Sequence, residues 1–279
     1  MHTMLMYIRR FLLPGLAFFL FISSCDSNES QIDSRTPEGA QRAKDWNKQQ
    51  SKEGISLAII DTLPGAEDAV EARNIEEEVD SLENQLILAG LVDVQSLDPS
   101  IMVKLKYASK DNFLHQNVYG GLRNCYLQPE AAEKLVDASK RLQDENPNLR
   151  LLVYDAVRPR SVQFAMWRVV KGTPQQSYVA SPKNGSVHNF GAAVDLTLAT
   201  KEGKALDMGT PFDYFGKKAQ PRYEDALLAS GELTAAQVDN RKLLRGIMTA
   251  SGFSIIRNEW WHFNAFSGAE SRKRFKAIP

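Results

Sequence analysis

Two short segments carry side chains that could do chemistry together. One is Ser186-Val187-His188-Asn189-Phe190-Gly191-Ala192-Ala193-Val194-Asp195, the other Glu259-Trp260-Trp261-His262-Phe263. The chain has four histidines, His2, His115, His188 and His262, so a centre built from two imidazoles can be assembled in few ways. Apart from His115, to which no role is assigned, only His188 and His262 lie in densely patterned, core-like sequence. Zinc takes nitrogen and oxygen ligands, and a hydrolytic site keeps three protein ligands with one position left for water. His188, His262 and the carboxylate of Asp195 supply such a set, and Glu259, three residues before His262, is close enough to share that water without binding the ion. Gly191 lets the chain between His188 and Asp195 turn tightly. No His-Glu-x-x-His occurs, which excludes a helix-borne thermolysin-like arrangement. Each residue also has an ordinary structural reading: a core histidine beside a glycine, an aspartate that caps or pairs, a Trp-Trp pair that packs.

These side chains need elements to aim them. Ala192 to Leu198 alternates, with Val194, Leu196 and Leu198 on one face and Asp195 and Thr197 on the other, which predicts a strand. Met102 to Tyr107 also alternates and reads as a strand, and Leu151 to Tyr154 as a buried one. Pro129 opens a helix through about Asp144, Pro being suited to the first helical position, and Asn146-Pro147 ends it. Arg160 to Val170 reads as a helix; Thr234-Ala235-Ala236-Gln237 fits a capping box whose helix runs to about Ser251, where Gly252 stops it. Phe253 to Phe263 reads as two short strands or one bent strand. Helices interspersed with short, non-repeating strands predict an α+β domain rather than a doubly wound sheet.

The pattern Ser-x-His-x-x-Gly-x-Ala-x-Asp followed by Glu-Trp-Trp-His resembles the zinc D-alanyl-D-alanine dipeptidases, the VanX-like family. Related D,D-carboxypeptidases share the metal set, but the doubled tryptophan favours the dipeptidase branch. The resemblance implies zinc on His188, Asp195 and His262, with Glu259 as catalytic base. Tyr154-Asp155-Ala156-Val157-Arg158-Pro159 is similar to the family segment whose arginine steadies the reaction intermediate, which implies Arg158. Met208 to Asp213 resembles the stretch whose aspartate holds the substrate amine, implying Asp213, and Lys106 to Ser109 with Asp111 to Phe113 resembles a segment whose tyrosine lines the pocket, implying Tyr107. It covers about Val92 to Phe266 and implies one compact α+β peptidase domain with a small, mostly antiparallel central sheet flanked by helices. Val187 and Phe190 depart from the VanX type, being less polar than the usual residues there. The competing expectations are a D,D- or L,D-carboxypeptidase trimming stem peptides, and a non-catalytic wall-binding lipoprotein with a structural zinc; Glu259 argues against the latter.

The rest of the chain reads as an address and a tether. Arg9 and Arg10 precede an apolar run from Phe11 to Ile22, shorter than the ~20 residues of a membrane span. It ends in Ile22-Ser23-Ser24-Cys25, which resembles a bacterial lipobox and implies a signal peptide over residues 1–24, lipidation of Cys25, export and anchoring at a bacterial membrane. Residues 25–90 read as an acidic tether, with a short apolar run at Ile55 to Ile60 and helical spacing in the acidic stretch Ala66 to Ala89; the peptidase domain is expected over 91–279. Between Asp26 and Gly90 there are 15 acidic and 6 basic residues, a net of −9; with only Arg9 and Arg10 before it and zero net charge overall, Leu91 onward carries +7. A neutral total points to no nucleic-acid partner, and the modestly basic remainder suits a small carboxylate-bearing dipeptide. Cys25 and Cys125 are too few for a disulfide framework, and Cys125 is expected as a buried free thiol.

Overall fold

The computed structural model describes residues 82–279. The leader, Cys25, the Ile55 to Ile60 run and most of the acidic stretch lie outside the described residues; of the expected helix over Ala66 to Ala89, residues 82–89 are described, helical over 82–88 with Ala89 in the turn that follows. Leu86 from this segment is fully buried, and Glu83 accepts hydrogen bonds from Asn124 Nδ2 and the Tyr126 hydroxyl at 2.9 and 2.5 Å.

A five-stranded sheet organises the rest. Its strands are β2 (Met102–Val103), β4 (Leu149–Asp155), β5 (Ala193–Thr200), β6 (Ser254–Ile255) and β7 (His262–Asn264), in the order β2-β4-β5-β7-β6. Only β2–β4 is parallel; the other pairs are antiparallel, so the mostly antiparallel sheet expected from the sequence is present. A separate two-stranded pair joins β1 (Val92–Asp93) to β3 (Tyr126–Leu127). After the helical segment 82–88, the α-helices are α1 (Val94–Leu97), α2 (Pro129–Glu145), α3 (Arg160–Val170), α4 (Glu224–Ala229), α5 (Ala235–Ala250) and α6 (Gly268–Arg274).

The core follows from two periodicities. In α2, Pro129 occupies the first turn and Ala131, Leu135, Ala138 and Leu142 fall on one buried stripe at spacings of three and four. In α5, Thr234 and Gln237 close the expected reciprocal capping box, and Leu244, Ile247 and Met248 face inward. These stripes share a core with Val194, Leu196 and Leu198, the alternate residues of β5. Asp195 and Thr197 therefore face the sheet's other side, where the chemistry is assembled. Phe190 belongs to the same core, and Cys125 is a fully buried free thiol.

One element departs from expectation. The alternating run Met102 to Tyr107 pairs as a strand only over Met102–Val103, and Lys106–Ala108 forms a 3-10 turn. The turn rotates the Tyr107 ring into a buried aromatic cluster with Phe113, Tyr119 and Phe212, with centroid separations of 5.8–6.2 Å. Burial of that ring outweighs the further edge pairing expected over residues 104–107.

Candidate active site

The site is written across three neighbouring strands. Antiparallel pairing sets Asp195 of β5 opposite His262 of β7, and a register shift between Val153 and Asp155 sets Asp155 of β4 opposite the same Asp195. Directly opposed residues have side chains within contact of each other. His188 reaches the group from a 3-10 turn, Val187–Phe190, capped reciprocally by Ser186 and Asn189. Gly191 ends this turn at φ +63°, a left-handed conformation that favours glycine, and a Cβ there would have to displace a Leu91 methyl 2.8 Å away. The turn is stitched to the end of β4: the Arg158 amide donates to His188 O, and Asn189 Nδ2 donates to Arg158 O.

Three ligand atoms converge as a result. His188 Nε2, His262 Nδ1 and Asp195 Oδ1 are separated by 3.1, 3.3 and 2.9 Å, and all three residues are buried. Ligand atoms ~2.0–2.1 Å from one tetrahedral ion stand ~3.3 Å apart, so this triangle has the right size for a single ion. The outward nitrogens suit the same role. His188 Nδ1 lies 2.7 Å from Ala156 O and His262 Nε2 lies 2.9 Å from Asn264 Oδ1; protonated there, each imidazole turns its other lone pair into the triangle. Burial pushes the Asp195 carboxyl up, but the two imidazoles, by charge and hydrogen bonding, hold it well below the ordinary range. A group that stays anionic while buried suits a metal ligand.

Glu259 stands beside this triangle, its Oε2 4.0 Å from His262 Nδ1. Burial pushes its carboxyl up to about 7; His262 and Arg158 counter this, while Asp195 and Asp213 add to it. A carboxyl poised near neutrality can both take and return a proton. Arg158 is nearly buried and held by its neighbours. Its Nε and Nη2 donate to Asp155 Oδ2 at 2.9 and 2.5 Å, its Nη1 donates to Gln163 Oε1 at 3.2 Å, and its Nη2 lies 3.6 Å from Asp195 Oδ2. Asp155 is itself fixed by the Tyr119 hydroxyl at 2.5 Å and the Ala156 amide at 3.0 Å. The arginine is thus both ion-paired and set in the cavity wall.

Asp213 and Tyr107 meet in the same cavity: the Tyr107 hydroxyl donates to Asp213 Oδ2 at 2.9 Å. Asp213 sits at φ +60°, a left-handed conformation that costs a non-glycine residue energy, and such strain collects at binding sites. Burial pushes its carboxyl up to about 8, with the Tyr107 bond pulling the other way. In the unfolded chain the group titrates near 3.8, so the folded protein binds more protons between those values and loses stability as pH rises through them. Asp213→Asn should therefore raise Tm by a few °C at pH 8 and hardly at all at pH 4, read by calorimetry; a shift equal at both pH values contradicts this.

The cavity measures about 250 Å³ and gathers every residue singled out for the site in the sequence: Tyr107, Arg158, His188, Asp195, Asp213, Glu259 and His262. That lies just below the ~300–1,000 Å³ of sites for drug-sized ligands, a volume suited to a very small molecule. His115 lies elsewhere, on a φ +54° turn bordering a different surface pocket. Sequence reasoning gave no role to Asp155, Tyr119, Gln163 or Asn264. Asn264 had one available signal, its position two residues after His262 on the same strand face.

A family model described as D-ala-D-ala dipeptidase (peptidase M15) matches residues 88–278. The chain is 35% identical over 173 residues to a D-alanyl-D-alanine dipeptidase of Escherichia coli, covering 62% of this chain and 83% of that one. It is 32% identical over 178 residues to the Enterococcus faecium enzyme of the same name, covering 57% and 82%, and 31% identical over 194 residues to that of Streptomyces coelicolor, covering 61% and 88%.

Proposed function

The chain belongs to the D-ala-D-ala dipeptidase family, and from that premise we propose that it is a metallopeptidase hydrolysing D-alanyl-D-alanine, or a close D-amino-acid dipeptide, to free amino acids. The observation that carries the reading is the convergence of His188, Asp195 and His262 on one point with Glu259 alongside. The donor set, two nitrogens and one carboxylate oxygen in a closed triangle, fits zinc. Zinc, when bound there, supplies Lewis acidity that renders water a nucleophile near neutral pH and polarises the scissile carbonyl.

The protein's own groups do the rest. Glu259 takes a proton from water as its oxygen bonds to the carbonyl carbon, then delivers that proton to the leaving nitrogen as the C–N bond breaks. Arg158 has N–H groups left over from its bonds to Asp155 and Gln163, and these face the negative charge that develops on the carbonyl oxygen. Arg158→Lys keeps the charge but loses the fork held by Asp155, so kcat should fall about 10²–10³-fold with little change in KM. Lys-variant kcat within a few-fold of wild type removes Arg158 from the reaction.

Asp213 pairs with the free ammonium of the dipeptide, whose charge restores its ionised form. A longer peptide brings an amide there instead, which neither restores the ionised form nor supplies the ion pair, so substrate length is set at this residue. The functional test is incubation of the full chain with D-Ala-D-Ala and with a D-Ala-terminated pentapeptide, with and without chelator. The reading requires chelator-sensitive cleavage of the dipeptide and at least about 10²-fold slower cleavage of the pentapeptide, roughly the effect of a buried ion pair lost. Equal cleavage of both indicates a carboxypeptidase, and cleavage of neither a binding protein.

The proposed location is outside the cytoplasm, on a lipid attached to Cys25, supported by Arg9-Arg10, the apolar run and Ile22-Ser23-Ser24-Cys25. Cys25→Ala should shift the protein from the membrane fraction to the soluble one; an unchanged distribution rules out the anchor.

A further inference from the structure

We propose that Asn264 is a positioning residue for the metal centre: its side-chain oxygen fixes His262 in the tautomer that leaves Nδ1 free to ligate. His262 differs from His188 in the atom it offers. It presents Nδ1, the nitrogen nearest its own backbone, at 2.9 Å from Asp195 Oδ1. Such a ring ligates only if its proton is on Nε2, and that proton needs an acceptor in a largely buried place. Asn264 Oδ1 is that acceptor, 2.9 Å from Nε2.

The backbone makes the arrangement rigid. His262 and Asn264 are alternate residues of β7 and so share a face. Asn264 is held in register from both sides, opposite Ala193 of β5 and Ser254 of β6, and Ser254 Oγ donates to its carbonyl at 3.3 Å. Its amide orientation follows from the histidine. With Nε2 as donor, the oxygen must face the ring, and Nδ2, which takes no protein partner among the described residues, is the group left over on a residue that lines the cavity. His188 solves the same problem with a backbone carbonyl, Ala156 O, which no substitution at that position removes. The second imidazole depends on a side chain and is the one that mutation can reach.

This inference rests on the ligand set proposed above. The test measures zinc affinity of the full chain by competition with a chromophoric chelator, for wild type, Asn264→Leu and Asn264→Asp. Leu keeps the approximate volume without an acceptor, while Asp keeps an acceptor and has no Nδ2. The expected result is zinc binding weakened about 10–100-fold in the Leu variant and within about 3-fold of wild type, or tighter, in the Asp variant. A Leu variant that binds as wild type does, or an Asp variant as weak as Leu, overturns the proposal. Should the Leu variant not fold, imidazole nitrogen NMR of zinc-loaded wild type decides: a protonated, slowly exchanging Nε2 on His262 supports the role, and a protonated Nδ1 overturns it. A wild type that binds no zinc refutes the ligand set itself, whereas equal affinity in wild type and the Leu variant refutes Asn264 alone.

Discussion

Glu259→Ala should lower kcat for D-Ala-D-Ala by about 10⁴-fold, the upper range for a general acid–base group, while the protein retains its metal. The two halves of that result are linked by geometry. Glu259 stands 4.0 Å from His262 Nδ1, close to the triangle yet outside it, so its removal takes no ligand from the ion. In the proposed mechanism one carboxylate serves twice, first as base toward water and then as acid toward the leaving nitrogen, and water cannot substitute for it in both steps. Burial pushes its carboxyl up, the direction required of a group that must also act as an acid. Glu259→Gln is the closer test, because it preserves volume; the same loss with metal content unchanged is expected. Activity within about 10-fold of wild type for either variant would give the proton transfer to another group.

The second large effect concerns the ligands. His188→Ala should abolish both metal binding and turnover, and should remove the thermal stabilisation expected of the wild type on adding zinc. At a zinc concentration ~100-fold above Kd that stabilisation is about 2.7 kcal/mol, or roughly 5–10 °C in Tm for a domain near this size. Differential calorimetry with and without zinc reads it directly. The metal-free variant should remain folded, because His188 sits in a turn anchored by backbone bonds from Arg158 and by the Ser186–Asn189 cap, none of which needs the imidazole. A His188→Ala chain that still gains several °C on adding zinc contradicts the assignment.

The parts of this site legible in sequence share one property: each is announced by its immediate neighbours. His188, Gly191 and Asp195 lie within one turn and the strand after it, and Glu259 and His262 within one approach to a strand, so residue type and spacing were enough to single them out. The helices over Pro129–Glu145 and Ala235–Ala250 are legible through Pro129, the Asn146-Pro147 break, the Thr234–Gln237 capping box and Gly252, signals that act locally. What stayed hidden depends on pairing between distant segments or on which ring nitrogen a histidine presents. Asp155 comes opposite Asp195 only through a register shift in β4, and Asn264 gains its meaning from the nitrogen His262 offers. Tyr119 and Gln163 act through Asp155 and Arg158 and carry no signal in their own surroundings. The strand expected over Met102 to Tyr107 stopped at Val103 because a distant aromatic cluster claims Tyr107, a force that alternation cannot register.

The departures at Val187 and Phe190 have different consequences. Phe190 is spent on the core between sheet and helices, where added apolar bulk is an ordinary gain. Val187 lines the cavity itself, beside Ser186 and His188, so its lack of polarity bears on which dipeptides are accepted rather than on whether the fold or the metal set persists.

The most direct measurement is a zinc titration of the metal-free full chain, following bound ion and D-Ala-D-Ala hydrolysis together. Three ligand atoms forming one triangle predict activity that rises in proportion to bound zinc and levels off at one ion per chain. Hydrolysis at full rate in rigorously metal-free protein, or zinc bound at this stoichiometry equally well after loss of His188, Asp195 and His262, would contradict the account.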